Sequence, residues 1–255
     1  MSKRSLLNRL LPAFGLILVL TANGLANALP LNGQTTGEIS DSFNVFFVPA
    51  GYVFSIWGLI YLGLTLYTVY QLLPAQRSNP RLEAVSLPFL ISSLANATWI
   101  FLWHYEFFPA TLLAMITLLI TLIVIYQRLG VGREQVNAPE TWLVRIPFQI
   151  YLGWVSVATI ANVTSVLDYL NWGGWGLSDQ IWAVIMLAVS VLLAWMVGLT
   201  RKDPAFMAVV VWALIGIAAA QSEHPLVAGS SWAGAGLTAV GLALTGVQKL
   251  RPQKT

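Results

Sequence analysis

The sequence contains no cysteine, which excludes disulfides, thiolate nucleophiles and zinc–thiolate sites. Charged residues are also scarce, at 9% of the 255 residues, and there are only two histidines. Hydrophobic residues make up 57% of the chain, and the mean hydropathy is +0.74. An average soluble domain carries about 25% charged residues. The composition therefore predicts an integral membrane protein.

Eight apolar runs are long enough, or nearly so, to cross a hydrocarbon core, which takes about 20 helical residues. The alternation typical of barrel strands is missing, so we expect the spans to be helices. The predicted fold class is therefore all-α, a polytopic membrane helical bundle. The predicted spans are residues 9–29, 49–73, 86–103, 108–127, 142–166, 180–199, 204–221 and 231–248.

Every basic side chain falls on one side of this topology. All thirteen lysines and arginines lie at the termini or in alternate loops, whereas the opposite loops carry only acids and histidines. Lysine and arginine are retained on the cytoplasmic side of a membrane. We therefore expect both termini in the cytoplasm, with a bacterial inner membrane as the location. The net charge of +3 then reflects topology and requires no nucleic acid as a partner.

The first run allows a second interpretation. A basic start, an apolar stretch and the small residues Ala26–Ala28 also fit a cleavable signal peptide. The run is longer than the apolar region of most signal peptides, which is about 7–15 residues. The length favours a first helix that is retained.

Polar residues inside the spans are informative, because an unpaired polar side chain in hydrocarbon is costly. Asn96 lies in the third span and Asn162 in the fifth, and helical spacing places aromatic rings on the same faces. The stripes on spans two, three and five are Phe54, Trp57, Tyr61, Asn96, Trp99, Trp103, Trp154, Ala158 and Asn162. If the three faces converge, they line a site for a small molecule. In the alternative interpretation, the rings pack a core or anchor to headgroups and the amides join helices.

Three motifs on these spans resemble those of one family. "VPAGYVFSIWGLIY" at residues 48–61 resembles the P-P-G-W-V-F-x-x-V-W-x-x-L-Y element of the TspO/MBR family, the tryptophan-rich sensory or translocator proteins. "LANATW" at residues 94–99 resembles that family's L-N-x-x-W, and "GWVSVATIAN" at residues 153–162 resembles its W-x-x-F-A-T-x-L-N. The sequence departs at Ala50 and Tyr52, and Pro147 lies seven residues before Trp154, where the family usually has four.

The resemblance covers about residues 9–170 and implies a five-helix bundle with a hydrophobic pocket below the first loop. Such pockets bind porphyrins such as protoporphyrin IX, sterols and synthetic aromatic ligands, often in a homodimer. Carried over position by position, the family's pocket would use Pro49, Trp57, Asn96, Trp99, Trp154, Ala158 and Asn162. The predicted ligand site consists of these residues and the remaining members of the stripes, Phe54, Tyr61 and Trp103. We accordingly predict a ligand-binding bundle at residues 1–170 and a three-helix transmembrane extension at residues 171–255. The expected partners are this hydrophobic ligand, membrane lipids and a second copy of the chain.

The predicted function is a membrane receptor or carrier for a flat hydrophobic ligand, with a sensory or transport role. The alternatives are a light-dependent enzyme that degrades porphyrins and a secondary transporter of a small hydrophobic solute. The predicted spans hold no Asp, Glu, Lys or His in their interiors, so we assign no catalytic residue, metal site or required cofactor. The loop at residues 31–48 is either a lid over the bundle or a passive connector.

Overall fold

The computed structural model describes residues 4–29 and 31–250, with side chains as far as residue 247. Helices account for all of the regular structure in this part of the chain. The α-helices are α1 (Leu6–Ala28), α2 (Thr36–Asp41), α3 (Ile56–Leu72), α4 (Pro80–His104), α5 (Phe108–Arg128), α6 (Ala138–Glu140), α7 (Ile146–Tyr169), α8 (Asp179–Arg201), α9 (Pro204–Ala220) and α10 (Pro225–Leu250). A 3₁₀ turn, Gly51–Ser55, leads directly into α3, and a π-helical turn, Thr141–Arg145, joins α6 to α7.

The prediction of a helical membrane bundle is confirmed. Seven helices in the described part of the chain are long and apolar enough to cross a membrane, and α9 is a shorter apolar helix of 17 residues. Each of the eight predicted spans corresponds to one helix. The largest differences between the predicted spans and the observed helices are at helix starts. For example, α4 begins at Pro80, whereas the predicted span begins at residue 86. Asn79 caps this helix by accepting from the N–H groups of Arg81 and Leu82, and Pro80 fits its first turn.

The first five long helices form a closed ring. α4 packs between α1 and α5, α7 packs against α5 and α3, and α3 returns to α1. Away from the site, the centre is filled by Tyr67, Phe89 and Phe148, one from each of α3, α4 and α7. Their ring centroids are 4.9–5.8 Å apart with steep interplanar angles. This edge-to-face packing fixes the relative positions of the three helices that carry the predicted stripes.

Helix α9 joins the last three helices to this ring. It packs between α8 and α10 on one side and against α7 on the other. Gly216 of α9 lies against Val53, and its carbonyl accepts from the Ala50 N–H at 3.1 Å. The Trp212 indole donates to the Val53 carbonyl at 3.2 Å. The C-terminal helices therefore support the turn that begins α3, which carries part of the predicted site.

The described basic residues gather at one end of the bundle, here called the basic end. Arg81 pairs with Glu140 there at 2.6 Å. Buried Arg4 donates to Ser86 at 2.8 Å and to Gln71 at 3.2 Å, and burial lowers the pKa of Arg4. The described part of the chain does not include the remaining basic groups, which are Lys3, Arg251, Lys254 and the side chain of Lys249. The opposite end, which α2 covers, is called the lid end.

Candidate functional site

Two adjoining cavities lie inside the ring towards the lid end. The first, the lid cavity, encloses about 510 Å³ including its opening and lies between α2, α4 and α7. The second, the inner cavity, has about 380 Å³ of empty space, again including its opening, and reaches further along α3, α4, α5 and α7. Both are lined by Thr36, Phe54, Trp99, Trp154 and Ala158. The shared walls make them two parts of one site.

Nine of the ten predicted site residues line these cavities. The lid cavity adds Pro49, Trp103 and Asn162 to the shared walls, and the inner cavity adds Trp57 and Asn96. Tyr61 lines neither cavity, but its ring stacks on Trp57 with centroids 5.5 Å apart and an interplanar angle of 20°. The three helical stripes therefore converge on one space.

The aromatic walls support one another. The rings of Trp99 and Trp103 stack at 5.2 Å and 18° on α4. Trp154 of α7 meets Phe54 edge-on at 5.8 Å and Trp57 at 6.2 Å. Such edge-to-face and stacked pairs each stabilise a structure by about 0.5–1.5 kcal/mol beyond their burial. The walls are consequently fixed before any ligand arrives.

The amide of Asn96 joins three helices. Its Oδ1 accepts from Asn23 Nδ2 of α1 at 2.8 Å, and its Nδ2 donates to the Tyr151 hydroxyl of α7 at 3.1 Å. Sequence analysis missed Asn23 and Tyr151 as parts of the site. Asn23 could have been found, since an amide inside an apolar span needs a partner.

The amide of Asn162 makes the corresponding connection nearer the lid end. Its Oδ1 accepts from the Trp99 indole of α4 at 3.2 Å, and its Nδ2 donates to Thr111 of α5 at 2.8 Å. Both asparagines thus join helices, as the alternative interpretation of the stripes expected. Asn162 also holds Trp99, which lines both cavities.

One buried donor in the walls has no acceptor. Trp154 is 3% exposed and lines both cavities, and its Nε1 makes no hydrogen bond within the described residues. A buried N–H without a partner is uncommon in proteins. The walls therefore contain one unused hydrogen-bond donor, which neighbouring atoms cover almost completely.

The loop after α1 covers the lid cavity. Thr36 and Ser40 of α2 line this cavity, while Ile39, 2% exposed, packs against Trp103 and Phe108. A capping box fixes the start of α2, with Thr35 and Glu38 bonding to each other's backbone N–H groups. The hydrogen bond from the Thr35 backbone lowers the pKa of Glu38. The loop is thus a lid and not a passive connector.

His104 attaches this lid to the bundle. Sequence analysis placed it in a loop, but it is the fully buried last residue of α4. Its Nδ1 lies 3.1 Å from the Leu31 carbonyl, and its Nε2 lies 3.0 Å from Thr36 Oγ1. Because a carbonyl only accepts, Nδ1 carries a proton; in the neutral ring, Nε2 then accepts from the Thr36 hydroxyl. Trp103 adds a bond from its indole to the Thr36 carbonyl at 3.3 Å.

A comparison with protein families identifies this architecture. The family model described as TSPO-like protein matches residues 9–244. The chain belongs to the TSPO-like protein family. The match runs into α10, beyond the resemblance at residues 9–170, so the family assignment covers the last three spans as well. A search of curated proteins and a search of solved structures each found no significant match.

The cavities of this TSPO-like chain have mostly apolar walls. Their described lining consists of aromatic, aliphatic, thioether, small hydroxyl and amide side chains, none of which titrates in the physiological range. Pockets with apolar walls and a few fixed polar groups are typical of small-molecule sites. Such walls can exclude water from a bound molecule, stack on its rings and orient a polar group at its edge.

Proposed function

We propose that this TSPO-like membrane protein is a receptor or carrier that binds a flat hydrophobic ligand, such as a porphyrin or a sterol-like lipid. The observation that carries the proposal is the convergence of aromatic faces from α3, α4 and α7 on two adjoining cavities beneath a lid. The two cavities share the walls formed by Thr36, Phe54, Trp99, Trp154 and Ala158. They would be occupied together by one elongated or planar ligand.

The driving force of binding would be burial of apolar area, at about 25 cal/mol per Å² before the cost of ordering is subtracted. Stacking on Trp57, Trp99 and Trp154 would add to this and favour planar rings. The Trp154 N–H would orient a polar edge of the ligand. Fixed walls reduce the ordering cost, because the rings already hold one another in place.

The proposal includes an orientation in the membrane. The basic end would face the cytoplasm and the lid end the opposite side, since lysine and arginine are retained on the cytoplasmic side. A bacterial inner membrane and a sensory or transport role are parts of the same proposal. In this orientation a ligand would enter from the outer leaflet or past α2.

The proposal is tested by filling the site. Ala158 lines both cavities, so Ala158→Phe places a ring in the shared space. Ala188→Phe adds the same ring at an exposed position of α8 and is the matched control. Purified proteins in lipid nanodiscs are titrated with protoporphyrin IX, its dimethyl ester and cholesterol, with tryptophan fluorescence and bound ligand as readouts.

We expect saturable binding of at least one of the three compounds to the wild type and to Ala188→Phe. Ala158→Phe should lose that binding while its thermal unfolding remains cooperative. Saturable binding of none of the compounds to the wild type, or unchanged affinity in Ala158→Phe, would refute the proposal.

A further inference from the structure

We infer that the two cavities select an uncharged ligand that presents a hydrogen-bond acceptor to Trp154 Nε1, and discriminate against ligands that carry carboxylates. The inference rests on the proposed function and narrows its ligand class. Among porphyrins it favours an ester over the free dicarboxylic acid. Among lipids it favours neutral, oxygen-bearing ring systems.

The described walls of both cavities carry no charged side chain. None of the described residues that line either cavity is Asp, Glu, Lys, Arg or His. A carboxylate moved from water into such a site keeps its charge only at a large cost in solvation. The amides of Asn96 and Asn162 would do little to solvate the carboxylate, because each amide already bonds to two other side chains.

The lid end, past which a ligand would enter, carries exposed acidic side chains. Glu38 and Asp41 lie on the lid helix itself, and both are exposed. The other exposed acids of the lid end are Glu106, Asp168, Asp179 and Glu223. The described part of this end holds no lysine or arginine to offset them. A surface with one sign of charge lowers the local concentration of ligands with that sign, so a dianion would be repelled.

The indole of Trp154 could bond to a polar edge of a ligand. Its Nε1 is a donor without an acceptor, and neighbouring atoms cover it almost completely, so a ligand atom would reach it as adjacent side chains move. Leaving such a donor unpaired is costly, so a ligand that supplies an acceptor gains affinity. A neutral carbonyl, ester or ether oxygen meets this need without the solvation cost of a carboxylate.

Two probes with the same ring system test the charge selection. Protoporphyrin IX and its dimethyl ester are titrated into the protein in nanodiscs of zwitterionic lipid. Protein-free nanodiscs give the partition of each probe into the bilayer, which is subtracted. After this correction we expect the ester to bind at least tenfold more tightly than the acid.

A charge placed on the lid gives an internal control. Ser40 lines the lid cavity from α2, so Ser40→Lys brings an ammonium group to its outer wall. Ser40→Gln is the uncharged control of similar length. The preference for ester over acid should fall at least threefold in Ser40→Lys and remain in Ser40→Gln. Both variants share the same lipid, so partition cannot cause the difference.

The acceptor is tested with Trp154→Phe, which keeps a ring and removes the donor. We expect a three- to tenfold loss of affinity for the dimethyl ester and no loss for etioporphyrin, which has the ring system but no oxygen. Equal binding of acid and ester, an unchanged preference in Ser40→Lys, or equal losses for both probes in Trp154→Phe would overturn the inference. These outcomes leave the proposed function standing, which fails instead if no compound binds saturably.

Discussion

The hydrogen bond from the Trp99 indole to Asn162 is the contact that most directly fixes the cavity wall, and a double-mutant cycle measures it. Trp99→Phe removes the donor and keeps a ring, whereas Asn162→Leu removes the acceptor at similar volume. Asn162 also donates to Thr111 at 2.8 Å, but that bond is lost in both variants that carry Asn162→Leu. The coupling energy therefore isolates the 3.2 Å bond between Trp99 and Asn162.

Interhelical hydrogen bonds in membranes contribute about 0.6 kcal/mol on average and up to about 1.7 kcal/mol. Asn162 makes two of them, so Asn162→Leu should destabilise the fold by about 1–3 kcal/mol, and the cycle should give a coupling of about 0.6–1.7 kcal/mol. The assay is reversible unfolding in mixed micelles, followed by far-UV circular dichroism.

Thr117→Val provides the control cycle. Thr117 is exposed and bonds only within its own helix, to the Leu113 carbonyl at 2.8 Å, so its coupling to Asn162→Leu should be zero. A coupling of zero between Trp99 and Asn162 would refute the view that this amide positions the ring.

Three further predictions test the support and the lid of the site. Gly216→Ala places a methyl group against Val53 and should lower the free energy of unfolding by about 1–3 kcal/mol, whereas Gly236→Ala, in open space, should be neutral or stabilising in the same denaturation assay. His104→Ala removes the ring that holds Leu31 and Thr36, so amide exchange across residues 31–41 should quicken, while His224→Ala, which loses a contact with Phe46, should leave exchange there unchanged. Because the pKa of Glu38 is lowered, its carboxylate stabilises the lid at pH values above the ordinary pKa of about 4.3. This stabilisation is lost as the pH falls through the lowered pKa. Release of a bound porphyrin ester should therefore quicken in that acid range in the wild type but not in Glu38→Gln, and equal pH profiles would contradict the role of the capping box.

Much of the fold could be predicted from the sequence because hydrocarbon imposes a simple rule. Apolar runs of the required length must be helices, and each predicted run corresponds to a helix in the structure. The stripes that carry Trp57, Asn96 and Trp154 could also be predicted, since helical spacing places each of these residues on a polar or aromatic face. These predictions depend on local spacing and on the hydrophobic pattern. That the three faces meet in one pocket was implied by the family resemblance alone.

The partners of the polar groups could not be predicted in the same way. That Asn96 bonds to Asn23 and Tyr151 depends on the order of helices around the ring, which spacing within one helix does not contain. The docking of α9 through Gly216 likewise depends on a close approach of two distant segments. The lid is an intermediate case. Thr35 and Glu38 have the spacing of a capping box, so α2 could have been predicted, but its attachment through His104 could not.

The central claim is that aromatic faces of α3, α4 and α7 enclose one ligand site. Its most direct test is an experimental structure of the protein purified with protoporphyrin dimethyl ester in nanodiscs. The account predicts ligand density in contact, within about 4 Å, with Trp57, Trp99 and Trp154 beneath the lid. Density only in the separate groove beside Leu59 and Trp212, with both cavities empty, would contradict it.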